Sequence, residues 1–167
     1  MTASSLKDWQ SYQMEGEYKM VALHNQDFYA WTQQQAQFLK SGQFSKLDVE
    51  HLVEELESMS ATEKRELISR LEVLLMHLLK WQFQPAFQGR SWLLTIEEQR
   101  LQLDDHLQEN PSLKNPEFLQ LSIDKAYRRA LVKAEKETGL ARKTFPQICP
   151  YSFEQIMDID FYPSEQS

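Results

Sequence analysis

The stretch LLMHLLKWQFQP, residues 74–85, decides the fold. At about 100 degrees per residue, Leu67, Leu71, Leu74, Leu75, Leu78 and Leu79 fill one broad arc of a helix. Val73, His77 and Lys80 lie on the opposite side, and Val73 and Trp81 flank His77 there, so the helix is apolar over most of its circumference. A helix of that kind is expected at the centre of a bundle. Pro85 ends it, and Ser60 with Glu63 has the capping-box spacing for its start. His77 and Lys80 also keep the run short of the roughly 20 apolar residues a membrane span needs.

Outward from this helix the chain is punctuated by caps. Asp27 opens a helix with an aromatic face, Phe28, Trp31, Gln35, Phe38 and Leu39, which Gly42 stops. Asp48 caps a second, with the stripe Val49, Leu52, Val53, Leu56 and Met59 beside an acidic flank of Glu50, Glu54 and Glu57. Beyond Pro85, Ser91 starts a helix striped by Leu93, Ile96, Leu103 and Leu107, and Arg100 falls within that stripe. Asn115 and Pro116 are a cap and first-turn pair for a last long helix that Gly139 closes. The remaining segment, rich in Pro and aromatics, reads as an ordered arm in which Ser152 and Gln155 cap one short turn. The expectation is all-α: a single-domain bundle of about five helices over residues 27–163, with an irregular C-terminal arm. Residues 1–26 read as an extension and 164–167 as a tail.

Composition narrows the function classes. With 167 residues, 41% hydrophobic and 26% charged, and only 4 Gly and 6 Pro, the chain suits a helical globule with one core. A formal net charge of −7 disfavours nucleic acid and anionic membranes, which draw on positive surface. The single cysteine, Cys149, excludes an intrachain disulfide and fits a reducing compartment, so the cytoplasm is expected. No signal-peptide pattern is read at the start.

Polar residues that interrupt apolar patterning mark the candidate site. These are Glu54 and Glu55, His77 with Lys80, and Arg100; Trp81 and Trp92 are candidate interface or ligand aromatics. A buried charge is costly unless paired, so Arg100 is expected to meet a carboxylate of the acidic helix. His77 suits a general base, or a core-edge imidazole with a hydrogen bond. His51 is expected to pair with Glu55. Glu-x-x-His pairs from two helices are missing, so neither metal nor cofactor is expected, although Asp48-x-x-His51 has the spacing with a shorter carboxylate. Lys125, Arg128, Arg129, Lys133 and Lys136 make a basic face on the last helix, balanced by Asp124, Glu135 and Glu137.

The segments DFYAWTQQQAQFLKSGQF, EELESM, LLMHLLKWQFQP, RSWLLTIEEQR and ETGL with FPQICPYSFEQ follow one another in an order similar to that of a bacterial family. The chain resembles domain-of-unknown-function family 29 from about Asp27 to Pro163. The resemblance implies a helical fold and no established activity. Its matching positions include Glu54, Glu55, His77, Lys80, Trp81, Trp92 and Arg100. AFQG, between WQFQP and RSW, is less basic than the family pattern, which weighs against an anion site in that loop.

Three functional readings follow. The first is a helical protein-interaction or regulatory module, with a protein partner or a homodimer. The second is a hydrolase or metal-assisted enzyme using His77 as base and Glu54 or Glu55 as ligand or orienter. The third is an acidic, antitoxin-like partner of a basic protein, whose association would be salt-sensitive.

Overall fold

In the computed structural model, which describes residues 23–164, the Asp27 carboxylate accepts the Ala30 N–H at 2.9 Å and opens helix α1, Phe28–Lys40. Helix α2 then runs unbroken over Val49–Phe83. Two helices meeting at Ser60 were expected there, and the physical reason for one is plain. No Gly or Pro interrupts residues 49–83, and a potential cap does not end a helix whose neighbours all favour continuing.

Helix α3 spans Arg90–Glu109, α4 Pro116–Thr138 and the short α5 Phe153–Met157. Tight helical turns at Phe44–Lys46, Pro85–Phe87, Pro111–Lys114 and Arg142–Thr144 connect them. Helix α3 opens at Arg90 behind Gly89, which makes no side-chain cap bond, rather than at Ser91, whereas the other caps act as the sequence suggests. Asn115 accepts the Phe118 N–H, and Ser152 with Gln155 forms a reciprocal capping box. Gly139 takes φ +73° at the end of α4, where an added Cβ would meet no atom within 4 Å. Gly139→Ala is therefore expected to cost about 1 kcal/mol by backbone strain alone, read from urea unfolding. The fold is all-α, with no strand among the described residues, and no helix of those residues is long and apolar enough to cross a membrane. The extension expected over 1–26 lies outside the described residues up to position 22; residues 23–26 are helical.

The chain divides into two units, one up to Ser60 and one from Ala61. The C-terminal unit is the bundle. Leu67, Leu71, Leu74, Leu75, Leu78 and Leu79 of α2 are fully buried, with Ile96 and Leu103 of α3. Ala126, Ala130 and Ala134 line a seam of α4 at four-residue spacing, small enough for close helix approach. The arm closes this core. Phe145 packs edge-on against Phe83, Tyr127 donates to the Pro146 carbonyl, and Tyr151 donates to Gln82 Oε1. Burial pushes both phenols well above the ordinary tyrosine range, so both remain donors.

Candidate functional site

The N-terminal unit is built the other way round. Among its described residues only Trp31, Gln35 and Asp48 are buried, and two of the three are polar. Asp48 is the hub. It precedes the first turn of α2, where its carboxylate accepts the Nδ1–H of His51 at 2.8–2.9 Å. Trp31 Nε1 donates to it at 3.1 Å from α1, and its own backbone N–H donates to Gln35 Oε1 at 2.8 Å. His24 Nε2–H donates to Glu55 Oε1 at 2.9 Å, and its ring stacks on His51 with centroids 4.3 Å apart. Trp31 meets His24 edge-on at 4.7 Å. His24 Nδ1 and Gln35 Nε2 are buried without a hydrogen-bond partner.

The hydrogen bond to Asp48, aided by the charges of Asp48, Glu54 and Glu50, raises His51 above the ordinary imidazole value despite some desolvation. Burial pushes the Asp48 carboxyl up, but the bonds from His51 and Trp31 outweigh it, and the net shift is down. The pair's stabilisation is thus in full force above the ordinary aspartate value of 3.8 and below the ordinary histidine value of 6.5. It fades as pH falls through the lowered Asp48 value, and again as pH rises through the raised His51 value. The Trp31 indole N–H resonance is expected to titrate with His51, above the ordinary histidine value of 6.5, and His51→Gln to flatten that curve. A flat wild-type curve would mean that the pair does not ionise as described.

Several large apolar side chains of this unit are exposed among its polar residues. Val49, Val53 and Leu56 fall within about 60 degrees of the α2 circumference and are all exposed. Phe28, Leu39 and Phe44 are exposed as well. Glu50, Glu54 and Glu57 run along one side of the α2 ridge, and residues 49–60 contain no Lys or Arg.

The other sequence-predicted residues belong to the C-terminal unit, where each has a specific partner. His77 Nδ1–H donates to the Val73 carbonyl at 2.9 Å, and burial depresses its proton affinity, so it stays neutral. Lys80 donates to Glu137 Oε2 at 2.6 Å and lies 4.5 Å from the Trp92 ring centre, a cation–π contact. Gln84, one turn on, donates to the Thr138 carbonyl. Together they tie the end of α2 to the end of α4. Trp81 packs on Tyr162. The expected carboxylate partner of Arg100 is replaced by the arm: its guanidinium donates to the carbonyls of Ile156 at 2.9 Å, Ile159 at 3.4 Å and Phe161 at 2.7 Å, with Tyr162 over it. An irregular arm has carbonyls that no helix or strand satisfies, and a five-donor cation suits them. The α4 basic face is partly engaged internally, since buried Glu72 binds Lys133 at 2.7 Å and Arg129 at 3.6 Å.

Glu54 and Glu55 thus fall in the N-terminal unit, and His77, Lys80, Trp81, Trp92 and Arg100 in the C-terminal one. Glu55 is joined to His24 rather than to His51, whose partner is Asp48. The roles of His24, Gln35 and Asp48 at this centre were not read from sequence. The i, i+3 spacing of Asp48 and His51 was the available signal, visible but ambiguous between a metal pair and a cap. Among the described residues no three His, Cys, Asp or Glu side chains are grouped to hold a metal ion. Burial raises the Cys149 thiol above its ordinary value, away from nucleophilic reactivity.

These features define an all-helical protein with an apolar-cored bundle and a smaller, polar-centred N-terminal unit. Residues 23–162 match the model of the family described as domain of unknown function DUF29, and the chain belongs to that family. No curated protein and no solved structure matches the chain.

Proposed function

We propose that the chain is a helical protein-interaction module whose docking face is the apolar ridge of Val49, Val53 and Leu56 on the N-terminal unit. One observation carries this reading. Among the described residues of the unit only Trp31, Gln35 and Asp48 are buried, and most of the large apolar side chains among them are exposed. Exposed apolar surface rimmed by polar residues is characteristic of an interaction site. The carboxylates of Glu50, Glu54 and Glu57 select a cationic occupant, which is the chemistry of an acidic protein that neutralises a basic one. A copy of the same face would bring carboxylate against carboxylate, so a two-fold contact through this ridge is disfavoured. A cytoplasmic location fits the unpaired Cys149.

Fluorescence anisotropy with a labelled amphipathic Leu/Lys helical peptide tests the reading. Binding is expected to weaken at least about tenfold with Leu56→Asp, and again as salt rises from about 50 to 500 mM. Equal binding of a Leu/Glu peptide would contradict it.

A catalytic reading finds its support at His51 rather than His77. Asp48 orients His51 through Nδ1, the arrangement that leaves Nε2 to act as a base, whereas His77 is held neutral on the Val73 carbonyl. Turnover of an ester or amide substrate, lost in a folded His51→Gln chain, is the result that would carry it.

A further inference from the structure

Helix α4 carries a face that mirrors the docking ridge. At about 100 degrees per residue, Leu121, Lys125, Arg128, Val132 and Lys136 share an arc of about 80 degrees. All five are exposed. The carboxylates of α4 are mostly engaged elsewhere: Glu135 holds Arg142 at 2.6 Å, Glu137 holds Lys80 at 2.6 Å, and Asp124 accepts the Gln120 amide. Arg129 and Lys133 are engaged by Glu72. Among the described residues Lys125, Arg128 and Lys136 have no ion-pair partner, and neither do Glu50, Glu54 and Glu57 of α2. Among the described residues the chain therefore displays an acidic apolar helix face and a basic apolar helix face, both exposed.

Resting on the docking reading above, we infer that the occupant of the acidic ridge is the basic α4 face of a second copy of this chain. Val49, Val53 and Leu56 of one copy meet Leu121 and Val132 of the other, while Glu50, Glu54 and Glu57 face Lys125, Arg128 and Lys136. The reach is compatible. The three carboxylates span about 10 Å of helix axis and the three cations about 16 Å, so a helix laid alongside covers all of them. The contact uses a different patch on each copy, and this avoids the like-charge clash of the ridge meeting itself. Residues 1–22 offer no such match, with three acids (Asp8, Glu15, Glu17) against two bases (Lys7, Lys19).

Sedimentation of the full chain, in low and high salt, tests this with two charge-reversed variants. One carries Glu50→Lys, Glu54→Lys and Glu57→Lys; the other carries Lys125→Glu, Arg128→Glu and Lys136→Glu. All six sites are on the surface, and circular dichroism checks that each variant is folded. The wild type is expected to self-associate, and at least about tenfold more weakly at 500 than at 50 mM salt. Each variant alone is expected to be monomeric, and an equimolar mixture to associate again. A wild type that stays monomeric at every concentration overturns the inference. So does self-association that neither variant weakens. The Leu/Lys peptide then separates the two levels: a monomer that still binds it keeps the docking face and loses only the second copy as occupant, and a monomer that binds nothing loses both.

Discussion

Leu71→Ala is expected to destabilise the chain by about 3 to 4 kcal/mol, and Leu56→Ala by no more than about 0.5 kcal/mol. Both leucines lie on helix α2, but Leu71 is 0% exposed in the bundle core and Leu56 is 64% exposed on the N-terminal unit. Truncating Leu71 removes three buried carbons and leaves a cavity that the packed neighbours Leu67, Leu74 and Leu75 fill only in part. Truncating Leu56 removes atoms already in water and slightly raises helix propensity. Urea unfolding reads both costs. A large cost at Leu56 would mean that the ridge is buried, and the docking reading would fall with it.

Arg100→Met is the second large effect, about 3 kcal/mol. It keeps much of the side-chain length and removes the donors that hold the carbonyls of Ile156, Ile159 and Phe161. Burial lowers the pKa of the guanidinium, but an arginine side chain keeps its proton in proteins, so each bond it makes is of the stronger, charge-assisted kind. The loss is expected to be local first. Hydrogen exchange at residues 156–161 should accelerate before the bundle opens, and the packing of Tyr162 on Trp81 should loosen with it. Arg100→Lys retains the charge but lacks the planar fork, so it is expected to recover only part of the loss. Unchanged exchange in the arm would show that Arg100 does not clamp it.

The helices were legible because their signals are local. Asp27, Asn115, Gly139 and the Ser152–Gln155 box each act within a few residues, and each cap forms as its residue type suggests. Ser60 misled for the same reason: a local capping pattern is indifferent to whether the preceding residues are already helical. The unusual polar positions were legible as positions but not as partnerships. A cation in an apolar stripe calls for an acceptor, and sequence pointed to a carboxylate because charge is visible there. The free carbonyls of an irregular arm 56 to 61 residues away leave no such mark. His77 stood out against its apolar helix yet does little beyond a bond to its own helix, while His51 looked like an ordinary surface residue. What sets His51 apart is Trp31 and Gln35 of another helix converging on Asp48, which depends on the turn between α1 and α2.

The apolar stripe of α2 shows the same limit. Val49, Val53 and Leu56 have the spacing of a core-facing helix, and periodicity alone assigns them to a core. Whether another element covers them is a tertiary fact, and in this structure they are exposed. The acidic flank was legible throughout. Combined with exposure, it turns a core stripe into a docking face that prefers cations.

The central claim is that this ridge binds a partner, and methyl NMR of the full chain during titration with the Leu/Lys peptide tests it most directly. The account predicts shifts at the methyls of Val49, Val53 and Leu56, abolished by high salt, with the buried methyls of Leu71 and Leu75 unmoved. A titration in which those three ridge residues stay still, whether or not other methyls move, would contradict it.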